Sequence, residues 1–172
     1  MIVAKAWRGK RFAVLGLAWS GAATVRALVA GGANVVAWDA DESKRAVFAA
    51  EPVQAEYARL ELAPLEDLAG FDALIVSPGV PLNTHPLAAR ARAAGIPVIG
   101  DIELFAQARR DLPSHQVVGI TGTNGKSTTT ALVHHILKTA GVPTLMGGNI
   151  GLPILGQDPL REGGVYVLEL SS

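Results

Sequence analysis

The chain has no cysteine, no excess charge of either sign and no long apolar run, and each absence removes a class of function. Without cysteine there are neither disulfides nor thiolate chemistry, which fits a reducing cytosol. Lysine plus arginine match aspartate plus glutamate at 15 each, so no global field draws nucleic acid or an anionic membrane. Any anion site must therefore be local. No stretch approaches the length needed to span a bilayer, and Met1 to Lys10 lacks the apolar core of a signal peptide. The expectation is a soluble, cytoplasmic protein with no nucleic-acid and no membrane partner. What remains is an ordinary globular composition: 172 residues, 49% hydrophobic, 17% charged, mean hydropathy +0.32. That is enough apolar material for one large or two small domains.

Short β-branched runs alternate with Ala- and Leu-rich stretches, the signature of an α/β fold with a parallel sheet. Strands are expected over Arg11 to Leu17, Asn34 to Asp39, Ala73 to Val76 and Pro97 to Ile99. Helices are expected over Ser20 to Ala30, Asp41 to Ala50 and His85 to Ala94, and from a cap at Asp101 through Arg109. Arg110 to Ser114 has linker character, which places a boundary between a Rossmann-like, doubly wound unit (1–112) and a second α/β unit (113–172). In the second unit a helix over Lys126 to Ala140 ends at Gly141, and Met146 to Gly151 reads as irregular. The apolar run Val165 to Leu170 belongs in the middle of a covered sheet, yet little sequence is left to cover it. The expectation is a truncated chain with an exposed sheet edge that self-associates or is disordered near Val165 to Ser172.

The most informative segment is Thr121-Gly-Thr-Asn-Gly-Lys-Ser127, entered from Val117-Val-Gly-Ile120 and followed by a helical pattern. Glycines let backbone amides approach phosphate, and the following helix N-terminus faces the charge. Lys126 would neutralise terminal phosphates, and the Ser127 hydroxyl is placed to ligate Mg²⁺. The full spacing G-x-x-x-x-G-K-[ST] would need glycine at position 120, which is Ile, so only the shorter G-x-x-G-K-S is present. The plain alternative is a glycine turn with Lys126 merely solvated. Glu169, near the end of a buried strand in the same unit, is where a nucleotide-binding fold holds Mg²⁺; the alternative is a Glu on an edge strand, pointing to water.

The first unit has its own turn, Gly16-Leu-Ala-Trp-Ser-Gly21, at the junction of strand one and helix one, with Asp39 closing strand two. That is a dinucleotide-like phosphate turn with Ala18 in place of the middle glycine, which restricts close backbone approach. A tight turn without a ligand is the alternative.

Taken together, Thr121 to Ser127, Gly147-Gly-Asn-Ile-Gly-Leu-Pro153 and Leu168-Glu-Leu-Ser-Ser172 resemble the ATP-dependent Mur ligases. Ser77-Pro-Gly79 and Gly100-Asp-Ile-Glu-Leu-Phe105 look most like the branch that joins D-glutamate to UDP-N-acetylmuramoyl-L-alanine. The resemblance runs through the whole chain, and what it implies is specific. A Rossmann-like unit would bind the UDP part of the substrate through Ala18, Trp19 and Ser20, through Asp39, and through Ser77, Pro78 and Gly79. A P-loop ATPase-type unit would hold ATP on Gly122, Thr123, Asn124, Gly125, Lys126, Ser127 and Thr128, with Ser127 and Glu169 on Mg²⁺ and Asn149 reaching the muramoyl group. Lys126 would be catalytic, stabilising charge on the transferred phosphoryl group as an acyl phosphate forms and the D-glutamate amine displaces phosphate.

Relatives commonly carry Gly and Thr where Ala18 and Ser20 stand, and Thr and Arg where Ala40 and Asp41 stand, so the uracil contacts are not carried over. The family also needs a His, a modified Lys and a C-terminal domain that this chain does not contain, so amide formation is not expected of the 172 residues alone. His134 and His135 are adjacent on a helix and point about 100° apart, which favours packing over metal binding. Rival readings are a dinucleotide-binding oxidoreductase module, a non-catalytic nucleotide-binding regulator, a sister Mur ligase and a folate polyglutamate ligase.

Overall fold

A computed structural model describes residues 1–49, 59–81 and 85–171, with Ala49 described only in its backbone. Ala50, at the end of the expected second helix, and Ser172, the last residue of the Leu168 motif, lie outside the described residues.

Alternation of side chains along β1 (Arg11–Leu15) decides the first layer. Phe12 and Val14 point to one face and Ala13 and Leu15 to the other, as a period of two requires, and all four are buried. A strand buried on both faces belongs at the centre of a covered parallel sheet. β1 pairs in parallel with β2 (Asn34–Trp38) on one side and β4 (Ala73–Val76) on the other. β3 (Arg59–Leu62) and β5 (Val98–Ile99) complete the order β3-β2-β1-β4-β5. Val25, Leu28 and Val29 of α1 (Trp19–Ala30) cover one face together with Leu104, Phe105 and Ala108 of α4 (Asp101–Ala108). Leu87 and Ala91 of α3 (Pro86–Ala93), with Leu65, Leu68 and Phe71, cover the other. This is the doubly wound arrangement, and its strand order reverses between β1 and β4, where ligands bind in such sheets. The remaining helix of this layer, α2 (Glu42–Ala49), follows β2.

A second, three-stranded parallel sheet has the order β6-β8-β7. β6 (His115–Ile120) leads through α5 (Lys126–Thr139) to β7 (Thr144–Gly148), and β8 (Gly164–Glu169) lies between the two. All six residues of β8 are buried and the strand is the sheet's centre, as its apolar run predicts, so it is not the exposed edge also expected there. The two strands that cover its edges, β6 and β7, both precede it in the chain. Met146 to Gly148, the first half of the segment expected to be irregular, completes the strand Thr144–Gly148, and Arg59–Leu62 adds a strand that the sequence pattern does not predict.

The sheets share one buried cluster. Tyr166 and Leu168 of β8, with Ile154 and Leu155, pack among the side chains of α1 and α4. The rings of Phe105 and Tyr166 meet edge-on at 4.9 Å, a favoured aromatic geometry. The fully buried Trp7 donates its indole N–H to Gln107 Oε1 at 3.0 Å, and the Ile2 N–H donates to the Leu155 carbonyl at 3.0 Å, so the N-terminal segment fastens both layers. Among the described residues no helix is long and apolar enough to cross a membrane.

Candidate functional site

Two strand-to-helix turns carry the candidate site. In the first, Gly16 follows β1 with φ 91, a conformation that favours glycine. Gly21 is required for a different reason: a Cβ there would stand 1.9 Å from the Gly16 carbonyl oxygen. The turn is then held from three sides. The Gly16 N–H donates to the Trp38 carbonyl at 2.8 Å, Ser77 Oγ donates to the Gly16 carbonyl at 2.8 Å, and the Leu17 N–H donates to Asp39 Oδ2 at 2.7 Å. Burial pulls the Asp39 pKa up, but the Leu17 and Asp41 amides and the Lys44 charge outweigh it, so the carboxyl titrates below its ordinary value. Asp39 and the buried Ser77 therefore shape the turn with their side chains. Ala18 and Trp19 at the head of α1 are exposed, Trp19 by 74%. Arg45 stacks over the Trp38 ring at 4.3 Å and donates to the carbonyls of Asp39 and Ala40.

Ser20, the second residue of α1, donates to Asp101 Oδ2 at 2.6 Å. Asp101 is not the cap expected from sequence. It is the first residue of α4, Gly100 holds the cap position, and Glu103 Oε2 accepts the Gly100 N–H at 2.9 Å. Asp101 is 6% exposed, and burial, its largest influence, raises its pKa.

The second turn joins β6 to α5. Gly122 has φ 144 and Gly125, the α5 cap, has φ 74. A Cβ at Gly125 would meet nothing within 4 Å, so glycine is there for backbone conformation alone. Lys126 heads the helix and curls its ammonium onto the Gly122 carbonyl, while Thr130 Oγ1 donates to the Lys126 carbonyl at 2.8 Å. Thr123, Asn124, Ser127 and Thr128 are exposed around the loop.

Glu169 ends β8 in register with Ile120, the last residue before the loop, and with Gly148 on the other side. It is 5% exposed, and its Oε2 has no hydrogen-bond partner among the described residues. An uncompensated buried carboxylate oxygen is costly unless something binds it, and a divalent cation fits that need. No group of three His, Cys, Asp or Glu side chains converges among the described residues. Mg²⁺ suits such a site, because it is commonly held by one or two carboxylates with phosphate oxygens and water. His134 faces Thr144 Oγ1 at 3.3 Å, and burial, with the Lys138 and His135 charges, lowers its pKa.

A cleft of about 420 Å³ lies between the sheets, lined by Pro78 and Asp101 from the first and by Asn149 and Ser171 from the second. Asn149 Nδ2 donates to Ser171 Oγ at 3.1 Å and Thr121 Oγ1 donates to the Ser171 carbonyl at 3.4 Å, which ties the cleft to the glycine loop. The Ser20 bond to Asp101 ties it to the first turn. A second cleft of about 420 Å³ opens at the ends of β1 and β2, with Leu15, Trp38, Ala40, His85 and Arg90 in its wall. Pro78 and Asn149 thus line one cleft, while Asp101, Ser171 and Trp38 line these clefts without having been singled out as candidate site residues.

A family model described as "Mur ligase MurD-like, N-terminal domain" matches residues 10–100, and one described as "Mur ligase middle domain" matches residues 120–172. A UDP-N-acetylmuramoylalanine–D-glutamate ligase of Novosphingobium aromaticivorans is 66% identical over 173 residues, covering 100% of this chain and 38% of that protein. Proteins of the same name from Sphingopyxis alaskensis and Zymomonas mobilis are 64% and 57% identical, again over the whole chain and over 38% and 41% of their own lengths. This chain therefore spans about two fifths of the curated relatives it matches. Among solved structures, a UDP-N-acetylmuramate-alanine ligase of Thermotoga maritima aligns over 94% of this chain and 37% of its own, at 22% identity and a TM-score of 0.48.

Proposed function

Because the chain belongs to the Mur ligase family, we propose that it is the substrate- and nucleotide-binding part of an ATP-dependent ligase that adds D-glutamate to UDP-N-acetylmuramoyl-L-alanine. The observation that carries this reading is the cleft between the sheets, which is tied to one anion-type turn through Asp101 and to the other through Ser171. A ligase of this kind must bring an anionic sugar nucleotide and ATP to one place, and a cleft flanked by two such turns supplies that geometry. We assign residues 1–112 to the substrate unit and 113–172 to the nucleotide unit, and place the reaction in the cytoplasm, where ATP is available.

In the substrate unit the roles divide by exposure. Ala18, Trp19, Ser20, Pro78 and Gly79 would meet the UDP moiety, whereas Asp39 and Ser77 would serve by holding the Gly16 turn in shape. Asn149 would contact the muramoyl group from the far wall of the cleft. In the nucleotide unit, amides of Gly122 to Thr128 and the α5 N-terminus would cradle the ATP phosphates. The Lys126 ammonium, freed from the Gly122 carbonyl, would balance charge on the transferred phosphoryl group. Ser127 and the Glu169 Oε2 would hold Mg²⁺, which when bound neutralises phosphate charge.

A dinucleotide-binding role is less well supported, because the carboxylate that would meet a ribose hydroxyl is engaged with the Leu17 amide. Calorimetric titration with UDP-N-acetylmuramoyl-L-alanine and with NADH tests the reading. Saturable binding of the sugar nucleotide is expected; binding of NADH alone, or of neither, would overturn it.

A further inference from the structure

The Ser20–Asp101 pair holds one hydroxyl proton and one carboxylate. With Asp101 ionised, Ser20 Oγ spends its only proton on Oδ2 at 2.6 Å, and the hydroxyl has no second proton to offer an anion at the head of α1. The carboxylate charge also faces the cleft, where it repels a diphosphate in partly desolvated surroundings. A proton on Asp101 reverses both effects. The carboxyl O–H then donates to Ser20 Oγ, the Ser20 hydrogen turns toward the ligand, and the charge is gone.

Resting on the substrate reading above, we infer that binding of a diphosphate ligand at the β1–α1 turn takes up one solvent proton at the Asp101 carboxylate. The proton adds to a carboxylate oxygen, and no other covalent bond changes. Burial already inclines Asp101 toward the neutral form, and the Glu103 carboxylate on the same helix adds to that, against the hydrogen bonds from Ser20, the Ile102 amide and the backbone amide of Asp101 itself. The groups facing it from the other walls are neutral: Ser20 on α1, Pro78 after β4, and Asn149 and Ser171 from the second layer. Glu103 is the other charged group among the described residues of the cleft, and its Oε2 is engaged with the Gly100 amide. A diphosphate diester is fully ionised near neutral pH, so the proton taken up belongs to the protein.

The test is calorimetry of this chain with UDP-N-acetylmuramoyl-L-alanine between pH 6 and pH 8, in buffers of contrasting ionisation enthalpy. We expect uptake approaching one proton and an affinity that falls about tenfold per pH unit above the Asp101 pKa of the free chain. In Asp101→Asn the amide donates to Ser20 without titrating, so uptake should vanish and the affinity should become flat with pH. Binding without proton uptake, or uptake that persists in Asp101→Asn, overturns the inference while leaving the substrate reading intact. No binding by the unsubstituted chain overturns both. Should Asp101→Asn fail to fold, infrared difference spectra of the unsubstituted chain carrying ¹³C-labelled aspartate decide the matter: a protonated-carboxyl band gained on binding supports the inference, and its absence sinks it.

Discussion

The two glycine turns look alike in sequence and are built in opposite ways. Around Gly16 the polar side chains of Ser77 and Asp39 are turned inward: Ser77 donates to the turn carbonyl, Asp39 accepts from Leu17, and Gly21 packs so close that a single added carbon would overlap backbone. Around Gly125 the side chains of Thr123, Asn124, Ser127 and Thr128 face solvent, and the glycine has open space beside it. Glycine thus serves close packing in the first turn and a left-handed backbone in the second. The lesson is that a glycine fingerprint does not by itself tell a prebuilt turn from one that waits for its ligand.

Substitution separates the two uses. Gly21→Ala forces a Cβ to within 1.9 Å of the Gly16 oxygen and 2.3 Å of Ser77 Oγ, and should cost about 3 kcal/mol or more in urea unfolding. A cost under about 1 kcal/mol would mean that the first turn is not packed as described. Next in size is Lys126→Ala, which removes the ammonium that sits on the loop while leaving the fold in place. ATP binding followed by titration should weaken by about tenfold to a hundredfold, the range of a charge-assisted hydrogen bond. Unchanged affinity would reduce Lys126 to a loop-stabilising residue.

Gly125→Ala should be milder than Gly21→Ala, at about 1–2 kcal/mol, because only the left-handed backbone is penalised. If the two alanine substitutions cost the same, the contrast between packing and conformation fails.

The smallest effects are in pH. The Asp39 pKa is lowered in the fold, so the unfolded chain binds more protons; the stability it contributes is present above its ordinary value of 3.8 and is lost as pH falls through the lower folded value. Asp101 has the opposite sign. Its raised pKa gives stability that is complete below 3.8 and is lost as pH rises through the folded value. Urea unfolding of Asp39→Asn and Asp101→Asn across this range should therefore remove slopes of opposite direction, and slopes of the same sign would contradict the environments described.

Much of the fold was legible because β1, β2, β4 and β8 are continuous apolar runs that only a covered sheet accommodates. β3 was not, since Arg59-Leu-Glu-Leu62 alternates charge with leucine and gives a weak pattern over four residues. β7 was hidden by Met146-Gly-Gly148, where glycine reads as loop. Those glycines are set by packing neighbours outside the strand: a Cβ on Gly147 would press on Ile154, and one on Gly148 would lie 2.1 Å from the carbonyl oxygen of Glu169 on β8. The glycine loop was read from its own spacing, a local property. The Asp101 role was not, because its partner lies 81 residues away and only the fold brings a helix start on α4 against one on α1.

The position of β8 also sets a timetable. β6 and β7 do not pair with each other, so His115 must wait for Gly164, about fifty positions later, before its first ladder partner exists. At roughly 5–20 residues per second, a ribosome takes about 2–10 s to supply it. During that interval the nascent glycine loop and its helix hang from a strand with no sheet, whereas every strand of the first sheet has already been made. A translational pause shortly before Gly164 would prolong the period in which a protease or chaperone finds the second layer open.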